Sequence, residues 1–161
     1  MNMRYFALII ASVFILSSAT AQEKQKTAKS GKSYATLVSA TMQRTIPGMK
    51  GAQPSVRYDF ILKWKSKQVP ETFFWRGDNV WMNCLVKAYK PGKKEPGEEI
   101  GLDKVKRNTC LQLTGIPGGK FPIPEEIQNT KGQAIFFKTA TSGWRYLPVT
   151  SITKKKDIIA P

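Results

Sequence analysis

Side chains able to do covalent or acid–base chemistry are few in this 161-residue chain, and histidine is absent altogether. Without imidazole there is no Ser-His-Asp or Cys-His arrangement, no His-ligated zinc and no ordinary general base near neutral pH. Two cysteines, Cys84 and Cys110, are too few for a four-ligand zinc site and lack the C-x-x-C spacing of a redox pair. The phosphate-cradling glycine patterns are absent. Carboxylates remain. A glycosidase needs two of them, about 5 Å or roughly 6.5–9.5 Å apart. The candidates are Asp59, Asp78, Glu98, Glu99, Asp103, Glu125 and Glu126, but most fall in loops beside lysines, and Glu125-Glu126 has the form of a solvated turn. The expectation is a protein that is not an enzyme and needs no metal or cofactor.

Two patterns could instead serve recognition. Aromatic residues stand beside cations at Lys63-Trp64-Lys65, Phe74-Trp75-Arg76 and Trp144-Arg145-Tyr146. Exposed together, Trp64, Trp75, Arg76, Trp144, Arg145 and Tyr146 would stack on sugar rings while the cations held anionic groups. An alternating strand that buries each aromatic and exposes its neighbours produces the same triplets, and that explanation is preferred. Arg76-Gly77-Asp78 spells an adhesion tripeptide, although Gly and Asp are also what a hairpin turn requires.

The elements that must position these residues follow a targeting segment. Tyr5 to Leu16 is a twelve-residue apolar run behind Arg4, and Ala19-Thr20-Ala21 has the small-x-small form of a signal-peptidase site. Twelve residues are too few for the ~20 of a membrane-spanning helix, so residues 1–21 read as a signal peptide cleaved after Ala21, for secretion or delivery to a periplasm. Cleavage removes one cation, Arg4, and no acid, leaving 25 Lys and Arg against 11 Asp and Glu, a net charge of +14. Such a field favours anionic partners. The lysines are scattered, with runs only at Lys104 to Arg107 and Lys154 to Lys156. No single patch is evident.

Residues 22–33 read as a flexible leader, 34–153 as one domain and 154–161 as an exposed basic tail. Within the domain, Val56, Tyr58, Phe60, Leu62 and Trp64 alternate with polar residues, which predicts a half-buried antiparallel strand. Tyr34 to Ile46 is rich in β-branched and aromatic types but mixes apolar residues on both parities. Glu71 to Tyr89 reads as a hairpin whose second arm is apolar on both faces, hence interior to a sheet. Strands are also expected at Arg107 to Thr114, Gln133 to Thr139 and Gly143 to Ile152, with one helical turn opening at Pro124. Seven strands without crossover helices predict an all-β, antiparallel β-sandwich of immunoglobulin-like architecture, with a small closed β-barrel as the alternative.

In an oxidising compartment an even cysteine count suggests a disulfide between Cys84 and Cys110, worth roughly 3.5 kcal/mol by the chain-entropy model. Parity argues against a cross-core bridge, because Cys84 shares the apolar face of its strand and Cys110 the polar face of its own. The functional expectation is a non-enzymatic binding domain of the envelope or extracellular space. Its partner is expected to be a protein or an anionic polysaccharide of the envelope or extracellular matrix, with no specific nucleic acid. An anionic-glycan module and a carboxylate-dependent hydrolase are the alternatives.

Overall fold

The computed structural model describes residues 27–77, 80–90, 97–117 and 121–160. The expected signal peptide, the first part of the leader, Asp78 and most of the loop before Gly97 lie outside them. Among the described residues there are ten strands: β1 (Lys29–Ser30), β2 (Ala35–Pro47), β3 (Ser55–Trp64), β4 (Pro70–Arg76), β5 (Trp81–Ala88), β6 (Cys110–Ile116), β7 (Ala134–Thr139), β8 (Gly143–Pro148), β9 (Thr153–Lys154) and β10 (Ile158–Ala160). An α-helical turn, α1 (Glu125–Gln128), starts after Pro124 as expected, with acids in its first turn where the helix dipole favours them, and a 3-10 turn spans Leu102–Lys104. Among the described residues no helix is long and apolar enough to cross a membrane. The protein is all-β.

All ten strands join one mixed sheet in the order β1-β8-β7-β4-β5-β6-β3-β2-β10, with β9 also paired to β2. The expected separation into two sheets is not seen. The sheet is nevertheless strongly rolled. A flat sheet would hold β3 and β4, three strand steps apart, about 14 Å from each other, yet the rings of Phe60 on β3 and Trp75 on β4 are 4.6 Å apart. Trp64 likewise meets Phe73 of β4 and Phe137 of β7, at 6.0 and 5.2 Å. These side chains face one another across the core.

Near the end of the roll, β2 comes into contact with β8. Only Gly31 to Tyr34 separate β1 from β2, so the chain itself bridges the seam. The Gly31 N–H donates to the Tyr146 carbonyl, and the Lys65 N–H donates to the Tyr34 carbonyl. A Cβ at Gly31 would lie 2.6 Å from the Phe137 ring, so the close crossing requires glycine. From Ala28 onward the segment expected to be a flexible leader is built into the fold: the Ala28 N–H donates to the Glu126 carbonyl, and β1 pairs with β8.

Period two accounts for most of the core. Phe60, Leu62 and Trp64 are fully buried on β3, and Met82, Cys84 and Val86 are buried on β5. Strand β7 is covered on both faces: Ile135 and Phe137 join the main core, while Ala134 and Phe136 join a second cluster outside the sheet with Ile127 of α1. The mixed parity of β2 has a local cause, a register shift between Leu37 and Ser39 that leaves Val38 as a bulge. A bulge moves the inward face from Ala35 and Leu37 to Ala40.

The C-terminal tail is also tied in. Its β9 and β10 pair with β2 in parallel at Thr41–Met42 and Thr45–Pro47, and the Lys155 N–H donates to the Met42 carbonyl. An unpaired edge leaves ladder groups open to another chain, and a short, lysine-bearing segment blunts it.

Cys84 and Cys110 are both free, so the expected disulfide is not formed. Cys84 lies opposite Gly115, five positions from Cys110 along β6, which is about 17 Å of strand. Cys84 also points into the core, whereas Cys110 lies on the outward parity of β6. A bridge needs Cα atoms within roughly 7 Å. Burial pushes the Cys84 thiol up, keeping it protonated and unreactive. Native protein is accordingly expected to react with a thiol reagent at Cys110 alone, and at both cysteines after denaturation without reductant. Absence of any titratable thiol after denaturation would restore the bridge.

Candidate functional site

Two members of the expected aromatic platform are core residues: Trp64 and Trp75 have no exposed surface. The Trp64 indole N–H donates to the Gln68 carbonyl at 3.0 Å, and Trp75 packs against Phe60 and Tyr58. Neither can stack on a ligand in this fold. The reason is the alternation itself, which sends Lys63 and Lys65 outward and the ring between them inward.

The remaining members divide between two places. Arg76 lies 5.3 Å over the Trp81 ring and donates to the Gln128 carbonyl at 3.5 Å. Trp144 stacks on Phe74, whose other neighbour is Phe121, and Tyr146 lies against Phe136. Phe74, Trp144 and Tyr146 pack, half-buried, against the second cluster of Ile127, Ala134 and Phe136, so their partial burial has a packing explanation. Arg145 has the opposite parity and sits 5.1 Å over Tyr34 at the seam. No continuous row results. Within Arg76-Gly77-Asp78, Gly77 is buried and Arg76 is held by Trp81, leaving the tripeptide's arginine turned back onto the protein.

Of the candidate carboxylates, Asp78 lies outside the described residues. Asp59 is occupied: it accepts from Arg57 at 2.9 Å, Thr114 at 2.7 Å and Gln112 at 3.3 Å. Its partial burial favours the neutral acid, but these hydrogen bonds and the Arg57 charge outweigh that and hold its carboxyl below the usual value. A lowered folded-state value means that the contribution is present above the unfolded pKa, about 3.9, and is lost as pH falls through the folded value. Asp59→Asn is expected to lose about 1 kcal/mol of stability at neutral pH, reduced by solvent screening. Urea unfolding at pH 7 and pH 3 should show the difference shrinking in acid. Among the described residues no group of three or more His, Cys, Asp or Glu could hold a metal.

What the fold does assemble is a basic rim. The Trp64 N–H donates to the Thr109 carbonyl and the Asn108 N–H donates to the Trp64 carbonyl, locking the exit of β3 to the turn before β6. Asn108 adopts φ 69°, a left-handed conformation that asparagine tolerates. The same end receives the Gly31 to Tyr34 crossing through the Lys65 to Tyr34 hydrogen bond. Seven exposed cations lie on these joined segments or beside them in sequence: Lys32, Lys63, Lys65, Lys67, Lys104, Lys106 and Arg107, with the exposed Asp103 as the acid among them.

No family model, curated protein or solved structure matches the chain.

The rim must therefore be judged on its own chemistry. Among the described residues the ion pairs are Arg57–Asp59, Lys138–Glu71 and Lys154–Asp157, and none uses a rim cation. Like charges held together by a rigid backbone sum to a positive potential that attracts anions. Sequence reading found the Lys104 to Arg107 run but not its union with Lys63, Lys65 and Lys67, since nothing in a linear charge pattern shows which turns are hydrogen-bonded together.

Proposed function

We propose that this protein is an exported, non-enzymatic binding module of the cell envelope or extracellular space. Its partner on this reading is an anionic polymer, an acidic polysaccharide in particular, held at the basic rim. The observation that carries the proposal is the set of seven exposed cations on hydrogen-bonded segments at one end of the sheet, none of which has an ion-pair partner among the described residues. The signal-peptide pattern and the net charge of the mature chain support it. The earlier glycan hypothesis thus changes its binding surface, from buried tryptophans to the cations flanking them. We read the rolled sheet as a small barrel in preference to an immunoglobulin-like sandwich, because the Gly31 to Tyr34 segment carries the chain across the seam.

The test compares two variants of equal charge. K104Q/K106Q/R107Q and K154Q/K155Q/K156Q each remove three positive charges, the first from the rim and the second from the tail. Retention on immobilised heparin should fall for the rim variant and change little for the tail variant. Equal losses would mean that only net charge is read, and the proposed site would be wrong.

A further inference from the structure

The seam beside the rim is incompletely closed, and its cause lies in the chain. Strand β8 ends at Pro148, which has no N–H to donate, and β9 rejoins β2 only at Thr41. Between these points β2 carries its bulge at Val38, and over Thr36 to Ala40 its only ladder among the described residues is with β3. A pocket of about 330 Å³ remains there, lined by Lys32, Ala35, Thr36, Leu37, Lys65, Leu147 and Pro148. Its floor includes the buried Ala35 and Leu147, and its charged lining residues are two lysines with no acid between them.

We propose that this pocket binds a single-chain anionic amphiphile. The head, a carboxylate or phosphate, sits between the Lys32 and Lys65 ammonium groups, where each lysine donates charge-assisted hydrogen bonds. The apolar chain covers Leu37, Leu147 and Pro148 and displaces water from their surfaces. The volume is at the lower end of the roughly 300–1,000 Å³ usual for ligand pockets, which selects a short chain. A hydrated polymer would leave this apolar floor unused. The proposal therefore stands apart from the polymer reading, although the two share Lys32 and Lys65.

Octanoate is the probe, titrated into isotope-labelled protein and followed by amide chemical shifts, with octyltrimethylammonium as the charge control. Saturable shifts are expected at residues 32–37, Lys65 and Leu147, with octyltrimethylammonium inactive. K32E/K65E should weaken octanoate by about tenfold or more. Thr36→Trp, at an exposed position on the pocket wall, should block octanoate while leaving heparin retention unchanged. K104Q/K106Q/R107Q should do the reverse, keeping octanoate affinity within about twofold. No saturable shift, equal binding of the cationic probe, shifts confined to another surface, or binding to anionic phosphatidylglycerol vesicles without binding of free octanoate would each overturn the proposal. Should Thr36→Trp disturb folding, the charge-reversed pair decides: unchanged octanoate affinity in K32E/K65E refutes the site.

Discussion

Trp64→Ala is expected to destabilise the protein by about 3–5 kcal/mol, the usual range for removing a fully buried large aromatic side chain. The ring fills space between β3, β4 and β7, meeting Phe73 and Phe137 edge-on, with interplanar angles of 78° and 76°. Truncation would therefore remove contacts that hold opposite walls of the roll together, and neighbouring backbone could collapse only partly into the space. It would also leave the Gln68 carbonyl without its indole donor. Trp64→Phe keeps most of the ring volume and loses the hydrogen bond, so its cost should be nearer 1–3 kcal/mol. Against a total stability of roughly 5–15 kcal/mol, the alanine variant would move a large share of molecules toward the unfolded state. Urea denaturation of both variants measures the difference. A ligand-stacking Trp64 predicts the opposite pattern, lost binding with an unchanged unfolding midpoint, and that result would contradict the fold described here.

The same residue shows what a sequence can and cannot reveal. Val56 to Trp64 was legible as a strand because period two is local, and that periodicity also explained why Trp64 stands between two lysines. Local periodicity says which side chains share a face, but not which strand lies alongside. The pairing of β4 with β7 joins residues about sixty positions apart, and it is one of the contacts that turns an expected pair of sheets into one rolled sheet. Strand β2 resisted reading because one bulge at Val38 exchanges its two faces midway. The short strands β1, β9 and β10 carry no pattern of their own and exist through the edges that they meet. For the cysteines, the face assignment was already visible, and the structure adds the separation along β6 that rules out their bridge.

The candidate site was less legible for a related reason. A polyanion meets charges arranged in space, and residues 63–67 and 104–107 are distant in sequence yet joined through Trp64, Asn108 and Thr109. Their joint action has a quantitative signature. When a cation neutralises a polyanion charge it releases condensed counterions, so log affinity falls linearly with log salt concentration. For duplex DNA, used here as a calibrated polyanion of random sequence, engagement of all seven rim cations gives a slope of about −6. K104Q/K106Q/R107Q should flatten it by about 3, whereas K154Q/K155Q/K156Q should alter it by less than about 1. The wild-type affinity should then fall by about 4,000-fold between 50 and 200 mM salt, and that of the rim variant by only about 100-fold. The tail variant is the sharper control because it has the same net charge as the rim variant: if its slope flattens equally, the attraction belongs to the whole molecule's charge and the rim has no special role.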